Sequence, residues 1–257
     1  MTLRKIQKIF LTSLLAMSTS AFSDDKLDWT GFYGSAMLGN TWGVSQNKGG
    51  ALIYVNADGS ADNGNTSPIS DNKSSFHGVN GTIKLGYNKQ IDTNLIGIEL
   101  GVTLQDAKAN PLTIVNLDTV NTLHTNTKVN TYETISARLG HIFNENTLIY
   151  VTGGAAVGQI KSQVSGSHNE LSPFDDWLYS PYTTTTNSKA EVGYAFGFGA
   201  EHKLTDRLSL RANYEYVDFG NVNFNYSQPF GGHDGVSINQ SYSIHFSNLS
   251  AGVSYAF

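Results

Sequence analysis

A histidine and a serine lie two residues apart near the end of the chain, as His245 and Ser247. In an extended strand, residues i and i+2 point to the same face, so the imidazole and the hydroxyl would lie side by side. A histidine placed in this way could activate the serine as a nucleophile against an ester. No Asp or Glu follows His245 to orient its imidazole, so a polar contact is favoured over catalysis. We therefore predict no catalytic residues and no enzymatic activity.

Four other histidines could supply a different chemistry, the ligation of haem iron. Imidazole is a common axial ligand of haem, and tryptophan and tyrosine residues nearby in sequence could stack on a porphyrin. No two of these histidines show a fixed ligand spacing, so haem binding is an alternative and the main expectation is that no cofactor is bound. The candidate ligands are His77, His124, His168 and His233.

The segment from Asp58 to Asn63 faintly resembles a calcium loop. In such a loop, the sixth position requires glycine and the twelfth requires glutamate. Here these positions hold Asn63 and Ile69, so we predict an acidic surface loop and no metal site.

The elements that would position these residues are strands. Apolar and polar residues alternate with a period of two, as in 79–87, where Val79, Ile83 and Tyr87 share one face while Asn80 and Lys84 share the other. Eight such segments occur, and seven of them have one apolar face. Only the fifth is apolar on both faces, which leaves its orientation open. The segments are 29–40, 76–89, 95–105, 129–143, 147–158, 190–203, 208–219 and a last one that starts near Tyr242.

The connections between these segments alternate between short and long. Short polar turns are predicted at 90–94, 144–146 and 204–207, and long polar segments at 43–75, 106–128, 159–189 and 220–241. An even strand number with alternating connections is typical of outer-membrane β-barrels, which have tight periplasmic turns and long external loops. The sequence therefore predicts an all-β fold, an eight-stranded antiparallel transmembrane β-barrel with both termini in the periplasm.

Six charged residues lie on the inward face of these strands: Lys84, Glu99, Arg138, Glu201, Arg211 and Glu215. An eight-stranded barrel has an interior just wide enough for side chains to fill it. Because buried charges persist only when they are paired and hydrogen-bonded, three cations and three anions predict a charge network that plugs the lumen. The strand register places Lys84 near Glu99, and Glu201 opposite Arg211. The alternative is that the six residues line a narrow, porin-like path for small solutes.

The two ends of the chain also indicate export to a membrane. Arg4, Lys5 and Lys8 precede an apolar run at 9–17, and a small-x-small site ends at Ser23, which is the pattern of a secretory signal peptide. We predict a signal peptide at residues 1–23 and a barrel domain at 24–257. Removal of the three signal cations lowers the formal net charge from −5 to −8, and the chain contains no cysteine. Such an acidic chain is a poor nucleic-acid binder.

The last strand ends on an aromatic residue, and its Gly252, Tyr255 and Phe257 match the signal read by the barrel-assembly machinery. Together with Trp29–Tyr33 (WTGFY) and Tyr214–Gly220 (YEYVDFG), this ending resembles the OmpA-like outer-membrane β-barrel family. The chain is most similar to the alphaproteobacterial branch of immunogenic and haem-binding surface proteins, often labelled porins. This resemblance implies surface exposure, a role in envelope integrity and contact with a host surface. The stretch at His245 also resembles that of lipid A deacylases, but lacks the acidic residue that would follow.

Outward aromatic residues should mark the two membrane interfaces. We expect Trp29, Tyr87, Tyr150 and Tyr255 at the periplasmic interface, and Tyr132, Tyr194, Tyr216 and Tyr242 at the external one. The partners predicted are outer-membrane lipids and lipopolysaccharide, the barrel-assembly machinery, and a host-surface or haem ligand of the loops. The predicted function is that of a structural and surface-interaction protein of the outer membrane.

Overall fold

A computed structural model describes residues 28–55, 60–69, 72–109, 112–116, 121–168, 182–230 and 233–257. These residues form an antiparallel sheet of ten strands. Their bounds are β1 Gly31–Val55, β2 Ala61–Ile69, β3 Asn72–Ile91, β4 Asn94–Ala109, β5 Leu112–Asn116, β6 Asn121–Phe143, β7 Thr147–His168, β8 Tyr182–Lys203, β9 Leu208–Phe230 and β10 His233–Ala256. None of the described segments forms a helix of the length and apolarity needed to cross a bilayer.

Eight of the ten strands close into a ring. The order β1-β3-β4-β6-β7-β8-β9-β10 returns to β1 through a β10–β1 ladder that runs from Tyr33–Ala256 to Val55–Gly235. The short strands β2 and β5 pair with the outer parts of β1 and β6, where they continue the positions of β3 and β4 in the wall. The all-β antiparallel barrel predicted from the sequence is confirmed, with eight strands in its wall. Closure removes the free sheet edges that a bilayer could not solvate.

The strands are longer than the sequence analysis predicted. The alternation of apolar residues predicts only the part of each strand that would contact lipid, such as 29–40 of β1, whereas β1 continues to Val55. Likewise, most described residues of the four segments predicted as long loops continue the strands of the wall. The outer parts of the strands have polar residues on both faces, because a strand in water needs no apolar outer face. The alternation of apolar residues therefore does not predict them. The three short turns lie where they were predicted, at 92–93, 144–146 and 204–207.

The structure fixes the orientation of β7, which the sequence left open. Leu148 and Tyr150 are buried inside the barrel, while Ile149 and Val151 are more than half exposed on its outer face. Four of the predicted interfacial aromatics were therefore assigned to the wrong face, since they are less than a tenth exposed and point inward: Trp29, Tyr132, Tyr150 and Tyr242. Their rings lie inside the barrel. A tyrosine can lie on either face of a strand, so its residue type does not reveal which face it occupies. By contrast, Tyr87, Tyr194 and Tyr255 are exposed as expected.

Gly220 changes which residues of β9 face inward. Below it, Glu215 and Val217 are buried at odd positions, and above it Val222 and Phe224 are buried at even positions. Gly220 has a φ of +64°, and the β9–β10 register shifts at this point. A left-handed residue of this kind is typical of a β-bulge, which inserts one extra residue in a strand and reverses its alternation. Period-two analysis cannot follow a strand across such a bulge.

Candidate functional site: the charged interior of the barrel

Lys84 lies at the centre of the interior charge network. It projects inward from β3, and its Nζ donates hydrogen bonds to Glu99 Oε1 at 3.0 Å and to Glu215 Oε2 at 2.7 Å. Glu99 belongs to β4 and Glu215 to β9, so one ammonium group connects three strands of the ring. All three side chains are no more than 4% exposed. The lysine therefore holds two walls of the barrel together across the lumen.

Two arginines complete the network. Arg211 Nη2 donates to Glu99 Oε2 at 2.6 Å, and Arg211 Nε lies 3.4 Å from Glu201 Oε1. Arg138 Nη2 donates to the same Glu201 Oε1 at 2.5 Å. The sequence placed Arg138 at the height of Glu99, but its ion-pair partner is Glu201 on β8. The six residues thus form one continuous group with three positive and three negative charges.

Three tyrosines that the sequence analysis missed belong to this network. Tyr33 donates to Glu99 Oε2 at 2.7 Å, and Tyr132 donates to Glu215 Oε1 at 2.7 Å. The guanidinium of Arg138 lies 3.8 Å above the ring centre of Tyr150, in a cation–π contact. These rings fill the space between the charges and supply hydrogen bonds that desolvated carboxylates require. The only sequence signal that these tyrosines point inward was their position in each strand, an even number of residues from other inward residues.

A polar layer lies next to the charges. Thr41 donates to Asn248 Oδ1 at 2.5 Å, and Asn248 Nδ2 donates to the Tyr132 hydroxyl at 2.6 Å. Ser250 donates to Asn80 Oδ1 at 2.9 Å, which connects β10 to β3 across β1. These neutral groups continue the hydrogen bonding outward from Glu215.

Two apolar clusters lie on either side of the polar layers. The periplasmic cluster contains Trp29, Leu95, Ile142, Leu148 and Tyr150. The external one is larger and includes Val129, Ile160, Phe219, Phe224 and Phe246. The side chains in both clusters are nearly inaccessible to solvent.

The candidate haem ligands do not converge in the described residues. His77 is exposed on β3 and His124 is exposed on β6, with β4 between these two strands. His168 ends β7 and His233 begins β10, and their side chains lie outside the described residues. The described residues also contain no group of three or more His, Cys, Asp or Glu side chains able to hold a metal ion. Of the segment predicted as an acidic surface loop, Asp58 to Asn63, the first two residues lie outside the described residues, whereas 61–63 begin strand β2, so the loop prediction is wrong for them.

Ser247 has a hydrogen-bond partner other than His245. Ser247 is 8% exposed, and its Oγ lies 2.8 Å from the hydroxyl of Tyr214. His245 is opposite Asp218 in the β10–β9 register, an acidic neighbour that the linear sequence does not reveal. The Asp218 carboxylate instead accepts hydrogen bonds from the Tyr194 hydroxyl at 2.9 Å and from the Gly220 amide at 2.7 Å. Both groups that would act with the histidine are therefore engaged elsewhere.

The three residues of the C-terminal signal lie where β10 meets β1. Gly252 pairs with Met37, and a Cβ at this glycine would overlap the backbone of Ala36 and Met37. Tyr255 is exposed on the outer face, and the Phe257 amide donates to the carbonyl of Phe32 at 3.0 Å. These residues therefore close the ring at its periplasmic rim, in addition to any role in assembly.

Comparison with known proteins agrees with this architecture. The family model described as "Outer membrane protein beta-barrel domain" matches residues 9–257. The 31 kDa outer-membrane immunogenic protein of Brucella melitensis is 27% identical over 185 residues, which cover 70% of this chain and 67% of that protein. The 25 kDa outer-membrane immunogenic protein of Brucella abortus is 36% identical over 90 residues, covering 35% of this chain and 33% of that protein.

Among solved structures, the outer membrane protein OprG of Pseudomonas aeruginosa is similar with a TM-score of 0.46 and 10% identity, covering 91% of this chain and 99% of that chain. The match of the family model to nearly the whole chain is the decisive finding. It agrees with the closed ring, the exposed apolar belt and the short turns at one rim. The protein is located in the bacterial outer membrane, and the chain belongs to the outer-membrane β-barrel domain family.

Proposed function

We propose that this protein is a structural and surface-interaction barrel whose lumen is plugged and does not conduct ions. The observation that carries this proposal is the bridge from Lys84 to Glu99 and Glu215, which connects opposite walls with side chains that are almost fully buried. A conducting path would need hydrated side chains along its whole length. Here the charges are paired, and apolar clusters lie at both ends of the described interior.

The neutral balance of the network supports the same proposal. A pore that selects ions usually presents a ring of one charge sign to the permeating ion. Here three cations and three anions form one group of zero net charge, so no ring of a single sign faces the lumen. The function that follows is mechanical and adhesive: the barrel anchors the external strands and loops at the cell surface. Haem binding by the surface histidines stays a prediction from the sequence.

Conductance in a planar lipid bilayer tests the plug. The purified barrel should insert without stepwise current increases in concentrated KCl. Glu99→Gln, which weakens the bridge, should leave the current at the baseline or produce only brief, irregular openings. Stable unitary openings of the unmodified protein, with an ion preference that changes in Glu99→Gln or Arg138→Gln, would show that the six charges line a path. Asp106→Gln on the exposed face of β4 is the matched control, because it also removes one carboxylate without changing the lumen.

A further inference from the structure

A groove crosses the membrane-facing wall of the barrel over strands β6 to β9. Its volume is about 490 Å³, which is within the range of about 300–1,000 Å³ for small-molecule sites. Ala137 and Gly153 form its floor, because neither carries a side chain long enough to fill it, and Phe196 and Phe198 flank it. Its lining is almost entirely apolar, so its occupant must be apolar as well.

The groove lies at the middle of the lipid-exposed belt. On β7 the outward apolar residues run from Ile149 to Val157, and Gly153 is the central position of that run. Because the protein lies in the outer membrane, a lipid chain is the apolar molecule available at this depth. A chain that enters from the outer leaflet would end near Gly153.

Two lysines lie above the groove on the same strands. Lys128 on β6 and Lys161 on β7 are direct register partners, and both alternate with buried residues, so they point away from the lumen. Like charges directly opposite each other destabilise a sheet unless an anion lies between them. Neither lysine forms an ion pair with any other described residue. The pair is therefore suited to a phosphate group.

The separation of the two features matches the dimensions of a lipid. Lys161 is eight residues above Gly153, which corresponds to about 26 Å along a strand at roughly 3.3 Å per residue. With the usual tilt of about 40°, this is a height of about 20 Å. Half a bilayer with its headgroups is also about 20 Å thick. A lipid whose chain lies in the groove would thus place its headgroup phosphate beside the lysines.

The carboxylates around this surface favour a sugar headgroup. Asp218, at the upper side of the groove, already accepts hydrogen bonds from Tyr194, Tyr216 and the Gly220 amide, which moderate its repulsion of an anion. Glu133 lies on β6 between the groove and Lys128, in register with Val157 at the upper end of the apolar run. Its carboxylate is an acceptor for hydroxyl groups, and Asp106 on β4 lies at the edge of this surface.

We propose that β6 to β9 form a specific binding site for a phosphorylated, acylated glycolipid of the outer leaflet. One acyl chain fills the groove over Gly153, a phosphate binds between Lys128 and Lys161, and a sugar hydroxyl donates to Glu133. The site is on the outer wall, so it does not depend on whether the lumen conducts.

Native mass spectrometry of the detergent-solubilised barrel tests this site with diphosphoryl lipid A as the probe. Lys128→Gln with Lys161→Gln should weaken binding roughly thirtyfold, since each lysine near an anionic headgroup contributes about fivefold. The control pair, Lys48→Gln with Lys73→Gln, removes two exposed lysines from β1 and β3 and should bind like the unmodified protein. Dephosphorylated lipid A should bind weakly to all three proteins, and added salt should weaken only phosphate-dependent binding.

Gly153→Leu tests the groove, and Gly81→Leu is its matched control. Both glycines lie on the outer face without a positive φ, and a Cβ at either one meets only side-chain atoms. We expect Gly153→Leu to weaken lipid A binding while Gly81→Leu does not, with both variants showing the same circular dichroism. Equal affinity of the Lys128/Lys161 variant and its control would overturn the proposal. Loss of a protein dimer in Gly153→Leu, with lipid A affinity unchanged, would also overturn it by identifying a second copy as the occupant.

Discussion

The Nζ of Lys84 lies 3.0 Å from Glu99 Oε1 on the neighbouring strand and 2.7 Å from Glu215 Oε2 on the far side of the barrel. The first contact follows from strand pairing, because β3 and β4 are joined by a two-residue turn. The second crosses the lumen, since β3 and β9 are not neighbours in the ring. One lysine side chain therefore combines a local contact with one that only ring closure can produce.

Lys84→Met should strongly destabilise the barrel. It leaves two buried carboxylates with one cation fewer, and removal of one partner from a buried ion pair costs about 3–5 kcal/mol. Urea-induced unfolding in lipid vesicles measures this loss. Lys73→Met, on an exposed position of the same strand, should change the free energy of unfolding by less than about 0.5 kcal/mol. Equal unfolding midpoints for the two variants would show that the bridge contributes nothing to stability.

Arg138 and Glu201 should be energetically coupled. Each single change, Arg138→Met or Glu201→Gln, leaves the other charge buried without its partner. The double variant should therefore lose less free energy of unfolding than the sum of the two single losses. The expected coupling energy is about 1–3 kcal/mol, measured by a double-mutant cycle of unfolding free energies. The same cycle with Glu133→Gln replacing Glu201→Gln should be additive, because Glu133 is on the opposite face of β6 from Arg138. Additivity in both cycles would contradict the assigned pair.

Gly220→Ala should destabilise the barrel by about 1–2 kcal/mol, the cost of a left-handed conformation in a residue with a Cβ. The cause is backbone strain alone, since a Cβ at Gly220 would meet no atom within 4 Å. Gly220→Asn should cost less, because asparagine tolerates this conformation better. Gly81→Ala, at a glycine without a positive φ, is the control. A Gly220→Ala variant as stable as this control would mean that the bulge does not require glycine.

Two tryptophans should report the inner and outer faces of the wall. Trp42 is 40% exposed on the outer face, whereas Trp29 is 7% exposed and donates from Nε1 to the carbonyl of Glu145 at 3.2 Å. Brominated acyl chains quench indoles that they contact, so Trp42→Phe should remove much of the quenchable fluorescence. Trp29→Phe should leave the quenchable part unchanged. The reverse result would support the outward position that the sequence predicted for Trp29.

The wall of the barrel could be predicted in large part from the sequence. Period-two alternation identifies a strand wherever one face meets lipid, as in 79–87 or 192–200, because the bilayer requires an apolar outer face. The same alternation places Lys84, Glu99 and Arg211 on the inner face. It fails where both faces are wet or both are apolar, which is why β1 extends to Val55 and why β7 remained ambiguous.

The sequence by itself determined the membrane class of this protein, the number of wall strands and the charges that point inward, because each depends on residues close together in the chain. Only the tertiary structure decided that Lys84 also reaches Glu215 and that Arg138 pairs with Glu201. The ring must close before those strands face each other. It also decided that Tyr33, Tyr132 and Tyr150 join the charge network, and that Lys128 is the register partner of Lys161. Those contacts depend on register between strands, which the bulge at Gly220 and the closure of β10 on β1 set for the whole wall.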